Sequence, residues 1–167
     1  MSKKQVVYSS QVKTTGILNF KDLYKFCYNW LVEETGLDVE ESLYSEKLKG
    51  EKKDIDVKWT GKTKLTDYFA FTMKVTFQIN NLEKVEINQG GKKISTNKGA
   101  VKVKAKGILE WDYEGKFNKT AFKQFMIAIY DKWIIGSKYE QFEDKIVGEC
   151  DDFLSQTKAF MDLEGKE

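Results

Sequence analysis

The feature that most constrains this chain is the stretch DYFAFTMKVTFQIN at 67–80. In it Phe69, Phe71, Met73, Val75, Phe77 and Ile79 recur at every second position. Successive side chains of a strand point to opposite faces, so a period of two puts all six on one side. A helix would scatter them around its axis. A strand face that apolar needs a cover, and the rest of the chain must supply it.

Other segments share the period. Residues 5–15 (QVVYSSQVKTT) predict a first strand. Residues 38–48 place Val39, Glu41 and Leu43 on one face and Tyr44, Glu46 and Leu48 on the other. Residues 54–60 alternate with Ile55, Val57 and Trp59 inward. Asn80-Asn81 marks a turn, residues 82–89 a shorter strand, and Gly90-Gly91 another turn. Residues 100–113 put Val101, Val103, Ala105, Leu109, Trp111 and Tyr113 on one face and Lys102, Lys104 and Lys106 on the other. Gly107 is the natural place for a bulge or bend in so long a strand.

Two segments have helical period instead. Phe20, Leu23, Cys27, Trp30 and Leu31 form a stripe behind a capping Asn19, with Gly36 as the stop. After Glu114-Gly115, Asn118 or Thr120 caps a helix striped by Phe122, Phe125, Ile129 and Trp133, with a kink or break at Gly136. Phe142, Ile146, Cys150, Phe153, Thr157 and Phe160 carry a helical stripe on to about Leu163. The expected fold is therefore α+β. A curved antiparallel sheet of about six strands has a helix after its first strand and a long C-terminal helical region across one face. Residues 1–167 form one domain, with 164–167 frayed.

This element order resembles the helix-grip fold of the START and Bet v 1 class. The resemblance implies a long C-terminal helix lying across a curved sheet, with a cavity between them. The segments Leu65–Phe69 (LTDYF), Lys106–Gly115 (KGILEWDYEG) and Tyr130–Lys145 (YDKWIIGSKYEQFEDK) resemble a group of small uncharacterised archaeal proteins. That resemblance implies a cytoplasmic archaeal origin and no assigned activity.

The chemistry available is narrow. The chain has no His and no Pro, and all 28 basic residues are Lys, with no Arg. The usual neutral-pH base and nitrogen metal ligand are missing, as is the planar fork that reads carboxylates and guanine. Cys27 and Cys150 have no metal spacing, and both fall on apolar stripes as buried thiols. Adjacent carboxylates such as Glu33-Glu34, Glu40-Glu41 and Asp151-Asp152 diverge from one another and read as solvated surface. Asp112 and Glu114 beside Trp111 and Tyr113 read as a strand end meeting water. The stretch Gly90–Thr96 (GGKKIST) fails the phosphate-loop spacing and joins strands, so it reads as a Lys-rich hairpin tip. No run of apolar residues is long enough to span a membrane. No enzyme constellation, metal or cofactor is expected.

Two charge blocks stand out. Residues 92–119 hold eight Lys against Glu110, Asp112 and Glu114. Residues 137–167 hold four Lys against nine Asp and Glu, enough for this helix to answer the Lys ridge. The leading expectation is a non-enzymatic START-like protein that binds an apolar small molecule or lipid. Its lining would come from Trp59, Phe71, Met73, Phe77, Trp111, Phe125, Ile129 and Trp133, with Tyr113 and Thr157 as polar groups. The alternatives are a filled domain that binds a protein partner, or a nucleic-acid-associated protein using the Lys-rich segment 92–106.

Overall fold

A computed structural model describes residues 3–66, 68–111 and 136–165. The order is β1 (Lys3–Leu18), α1 (Phe20–Trp30), β2 (Asp38–Lys49), β3 (Lys52–Lys64), β4 (Phe69–Gln89), β5 (Lys92–Trp111) and α2 (Gly136–Gly165). The strands form an antiparallel sheet in the order β1-β5-β4-β3-β2. The first strand thus lies beside the last. The chain leaves β1 at one edge, crosses through α1 to β2 at the other, and meanders back.

The described sheet has five strands, against the expected six, because β4 runs through the predicted turn at Asn80-Asn81. Between Asn80 and Glu83 the pairing of β4 with β5 slips by a residue, and Asn81 has a φ of 56°. This is a bulge, which turns Leu82 into the core. It needs Gly99 opposite, where a Cβ would sit 3.1 Å from the Asn80 carbonyl oxygen and 3.2 Å from the Leu82 Cα. An Asn pair can mark a hairpin or a bulge, and only the partner strand decides which.

Two further expectations change. Gly107 does not bulge β5; the bulge lies opposite it in β1, between Val6 and Tyr8. Gly107 instead lets α2 touch the sheet, since a Cβ there would be 2.6 Å from Ile146 Cγ2 and 2.9 Å from Cys150 Sγ. In β2 a third bulge, between Glu41 and Leu43, moves Leu43 opposite Lys58. Val39 and Glu41 then share their face with Tyr44 and Glu46, and Leu43 lies on the other.

Asn19 caps α1, its side chain accepting from the Asp22 amide at 3.1 Å. Leu31–Thr35 extends α1 as a π-helical turn, and Gly36 ends it in the left-handed region at φ 71°. Both helices cover the same face of the sheet. Leu23, Cys27 and Leu31 face inward from α1, and Ile146, Cys150, Phe153 and Met161 from α2. The expected helix bearing Phe122, Phe125, Ile129 and Trp133 lies outside the described residues, as do the residues before the predicted kink at Gly136.

Candidate functional site

The concave face holds the residues expected to line a cavity. Trp59, Phe71, Met73 and Phe77 are fully buried there. Their neighbours are rings and helix side chains. Trp59 packs edge-on against Phe77, with ring centres 4.8 Å apart, and against Tyr24 at 5.0 Å. Its indole N–H donates to the Glu41 carboxylate at 3.2 Å. Phe69 meets Phe142 at 5.1 Å, Phe26 stacks on Phe160 at 4.6 Å, and Trp30 meets Phe153 at 5.7 Å. Trp111 is half-buried at the strand end and packs on Tyr139.

Thr157 is buried, but its hydroxyl donates to the Phe153 carbonyl at 2.7 Å and lies 3.6 Å from Cys27 Sγ. It is consumed by its own helix and by α1. Tyr113, Phe125, Ile129 and Trp133 lie outside the described residues. Cys27 and Cys150 are buried thiols, each pushed up to about 12 by burial. A thiol held protonated is a poor nucleophile. Among the described residues no three Cys, Asp or Glu side chains converge to hold a metal ion.

The convex face is the opposite in character. On β5 the outward residues are Lys98, Ala100, Lys102, Lys104 and Lys106, so the predicted Lys ridge is present. The strand pairing adds members that are distant in sequence. Lys13 of β1 stands directly opposite Lys102, and Lys74 of β4 directly opposite Lys106. Gln11, Ser9, Thr76 and Gln78 fill the places between them. The carboxylates on this face include Glu110 at one end, Glu40 and Asp56 on β2 and β3, and Glu83, which stands directly opposite Lys98. None of the described ion pairs involves Lys13, Lys74, Lys102, Lys104 or Lys106.

Ala100 leaves a gap in the ridge. On either side of it lie shallow depressions of about 210 and about 230 Å³, the first between Lys13, Lys102 and Gln78, the second between Lys52, Lys98, Glu83 and Asn81. The acidic helix expected to answer the ridge does not do so. α2 lies against β1 and β5 on the concave side, its Asp and Glu residues separated from the Lys cluster by the sheet. Segment charge was legible in the sequence. Lys13 and Lys74 were not, because register is a long-range property.

No family model, no curated protein and no solved structure matches this chain. No described helix is long and apolar enough to cross a membrane.

Proposed function

We propose that this is a non-enzymatic binding protein that holds nucleic acid by its phosphate backbone on the convex lysine face. The observation that carries the proposal is the pair of directly opposed like charges, Lys13 with Lys102 and Lys74 with Lys106. Like charges directly opposite on neighbouring strands weaken a sheet. A polyanion lying across them reverses the sign of that interaction and releases its own counterions. The hydroxyl and amide groups between the lysines suit phosphate and sugar oxygens.

The chemistry narrows the ligand. Without Arg there is no bidentate reading of guanine. The aromatic rings of β4 and β5 face the core, so bases have no stacking platform among them. The proposal is therefore backbone recognition of a duplex without sequence preference. It assumes a cytoplasmic protein, where nucleic acid is accessible and thiols stay reduced. The helix-grip form is the scaffold we assign within this proposal, supported by the adjacent first and last strands and by α2 lying over them. The ring contacts across the described concave face favour a filled core over an apolar carrier.

Fluorescence anisotropy of a labelled DNA duplex across salt concentrations tests the proposal. If all five lysines neutralise phosphates, the slope of log K against log salt is about −4.5. The triple variant Lys102→Gln, Lys104→Gln, Lys106→Gln brings it to about −2 and weakens binding. A slope near zero, or one that the triple variant leaves unchanged, rules the proposal out.

A further inference from the structure

We propose that the groove between the outer edge of β1 and helix α2 takes an extended basic peptide of a partner protein, which adds to the sheet as a strand. The groove has a volume of about 430 Å³, borders the core at Leu154 and lies apart from the lysine face. Its floor comes from Tyr8, Ser10 and Val12 on β1, and its wall from one stripe of α2.

β1 pairs only with β5 among the described strands, so its other side is an edge with no described partner strand. The Lys13 carbonyl accepts from Lys158 Nζ at 2.9 Å, which shows which way its backbone points. Backbone direction alternates along a strand, so Gln11 and Thr15 offer their N–H and C=O groups to the same side. An edge of this kind is a template for another strand.

The wall fixes the length of the guest. The helix stripe runs from Asp151 through Ser155 and Ala159 to Asp162, about 16 Å at 1.5 Å per residue. Five residues of a strand span about 17 Å. Room exists because Ser10, Ser155 and Ala159 are small. Val12 and Leu154 give the groove an apolar patch.

Charge fixes the rest. Asp151 and Asp162 stand at the two ends of the stripe. Tyr8 donates its hydroxyl to Asp151 at 3.2 Å, and burial keeps that phenol protonated by raising its pKa. Lys158 is the cation within the lining, and Asp162 holds it at 3.3 Å. In an added strand, side chains at i, i+2 and i+4 face the same way, and the outer two are about 13 Å apart. A basic residue at i and i+4 then meets the two aspartates, and an apolar residue at i+2 meets the Val12 and Leu154 patch. The incoming backbone N–H replaces the Lys158 ammonium at the Lys13 carbonyl.

The test is anisotropy of a fluorescein-labelled heptapeptide, Gly-Lys-Thr-Val-Thr-Lys-Gly, titrated with the intact protein. Saturable binding is expected. Ser155→Trp fills the groove and weakens binding at least tenfold, while Lys158→Met removes the competitor for the Lys13 carbonyl and tightens it several-fold. A peptide with prolines in place of its valine and the threonine that follows loses a backbone donor to β1 in either strand direction and binds at least tenfold more weakly. Amide exchange provides a readout without variants, because Gln11 and Thr15 amides become protected on peptide addition. The triple lysine variant of the convex face binds the peptide as the parent does, so failure of the nucleic-acid reading leaves this result intact. Absence of saturation up to millimolar protein, or equal binding of the proline peptide, overturns the proposal. Exchange protection elsewhere than β1 overturns it as well.

Discussion

The two faces of β4 and β5 are built from alternate residues of the same strands, yet they are governed by different physics. On the concave face Phe71, Val75, Phe77, Val103 and Leu109 are buried under α1 and α2. On the convex face Lys74, Lys102, Lys104 and Lys106 meet water, with like charges aligned across strands. The first face is what folding selects, since each buried side chain removes apolar area from water. The second is not explained by folding, because its alignment costs stability. A feature that the fold does not require is the better place to look for function.

The comparison breaks most easily at Phe77. Phe77→Ala is expected to cost about 3–5 kcal/mol, read from urea denaturation, because it opens a cavity against Trp59. Thr76→Ala, one residue away on the other face, should stay within about 0.5 kcal/mol. Equal effects at the two positions would show that the register is wrong.

The dryness of the concave cover can be measured through its thiols. Burial pushes both Cys27 and Cys150 up to about 12. In the unfolded chain a thiol ionises near its ordinary value, so above that pH the unfolded state loses protons that the folded state keeps. Stability is then full below about pH 8 and falls as pH rises toward 12; between pH 8 and 10 the loss is about 2–3 kcal/mol for the two thiols together. Tyr24 and Tyr44, raised to about 12 by burial and by hydrogen bonds to Glu41 and Glu46, extend the decline at higher pH. Replacing both cysteines with alanine should flatten the profile from pH 8 to 10. A parent profile that is already flat there would mean that water reaches the sulfurs.

Gly107 tests how tightly helix and sheet are pressed together. Gly107→Ala drives a methyl into Ile146 and Cys150 and should cost about 1–3 kcal/mol. Adding Ile146→Val keeps the clashing Cγ2 methyl but sheds the Cδ1 methyl, which gives the side chain room to shift, and should recover part of that loss. Additive losses in the double variant would place the strain in the backbone instead of in that contact.

These sites also separate what was legible in the sequence from what was not. The inward face of β4 was legible, because alternation is a local pattern that needs no partner. So were the Asn19 cap and the Gly36 stop, which are set by neighbouring residues. The bulges at Asn81 and after Glu41 were not, since each depends on what the adjoining strand places opposite. The role of Gly107 was missed because its reason is a helix about forty residues downstream. The same limit hid Lys13 and Lys74 from the lysine cluster. Thr157 reads as a polar group available to a ligand, yet a hydroxyl on a helix can bond back to the carbonyl one turn earlier, and here it does.

The smallest expected effect is the most discriminating. Lys74 stands directly opposite Lys106 on the convex face, with Lys74 exposed and Lys106 half-buried. Lys74→Glu turns a repulsive cross-strand pair into an attractive one, which should raise stability by about 0.2–1 kcal/mol. If the lysine face serves only to keep the protein soluble, that gain carries no penalty in binding. If it holds a phosphate backbone, the same substitution removes one cation and adds an anion at the binding surface. Affinity for the duplex then falls even as the melting temperature rises, and the salt slope becomes shallower by about one to two. A protein made more stable and less able to bind by one surface change would show that the alignment of these lysines is retained against the preference of the fold. A variant that gains stability and binds duplex as before would return the convex face to ordinary solvated surface.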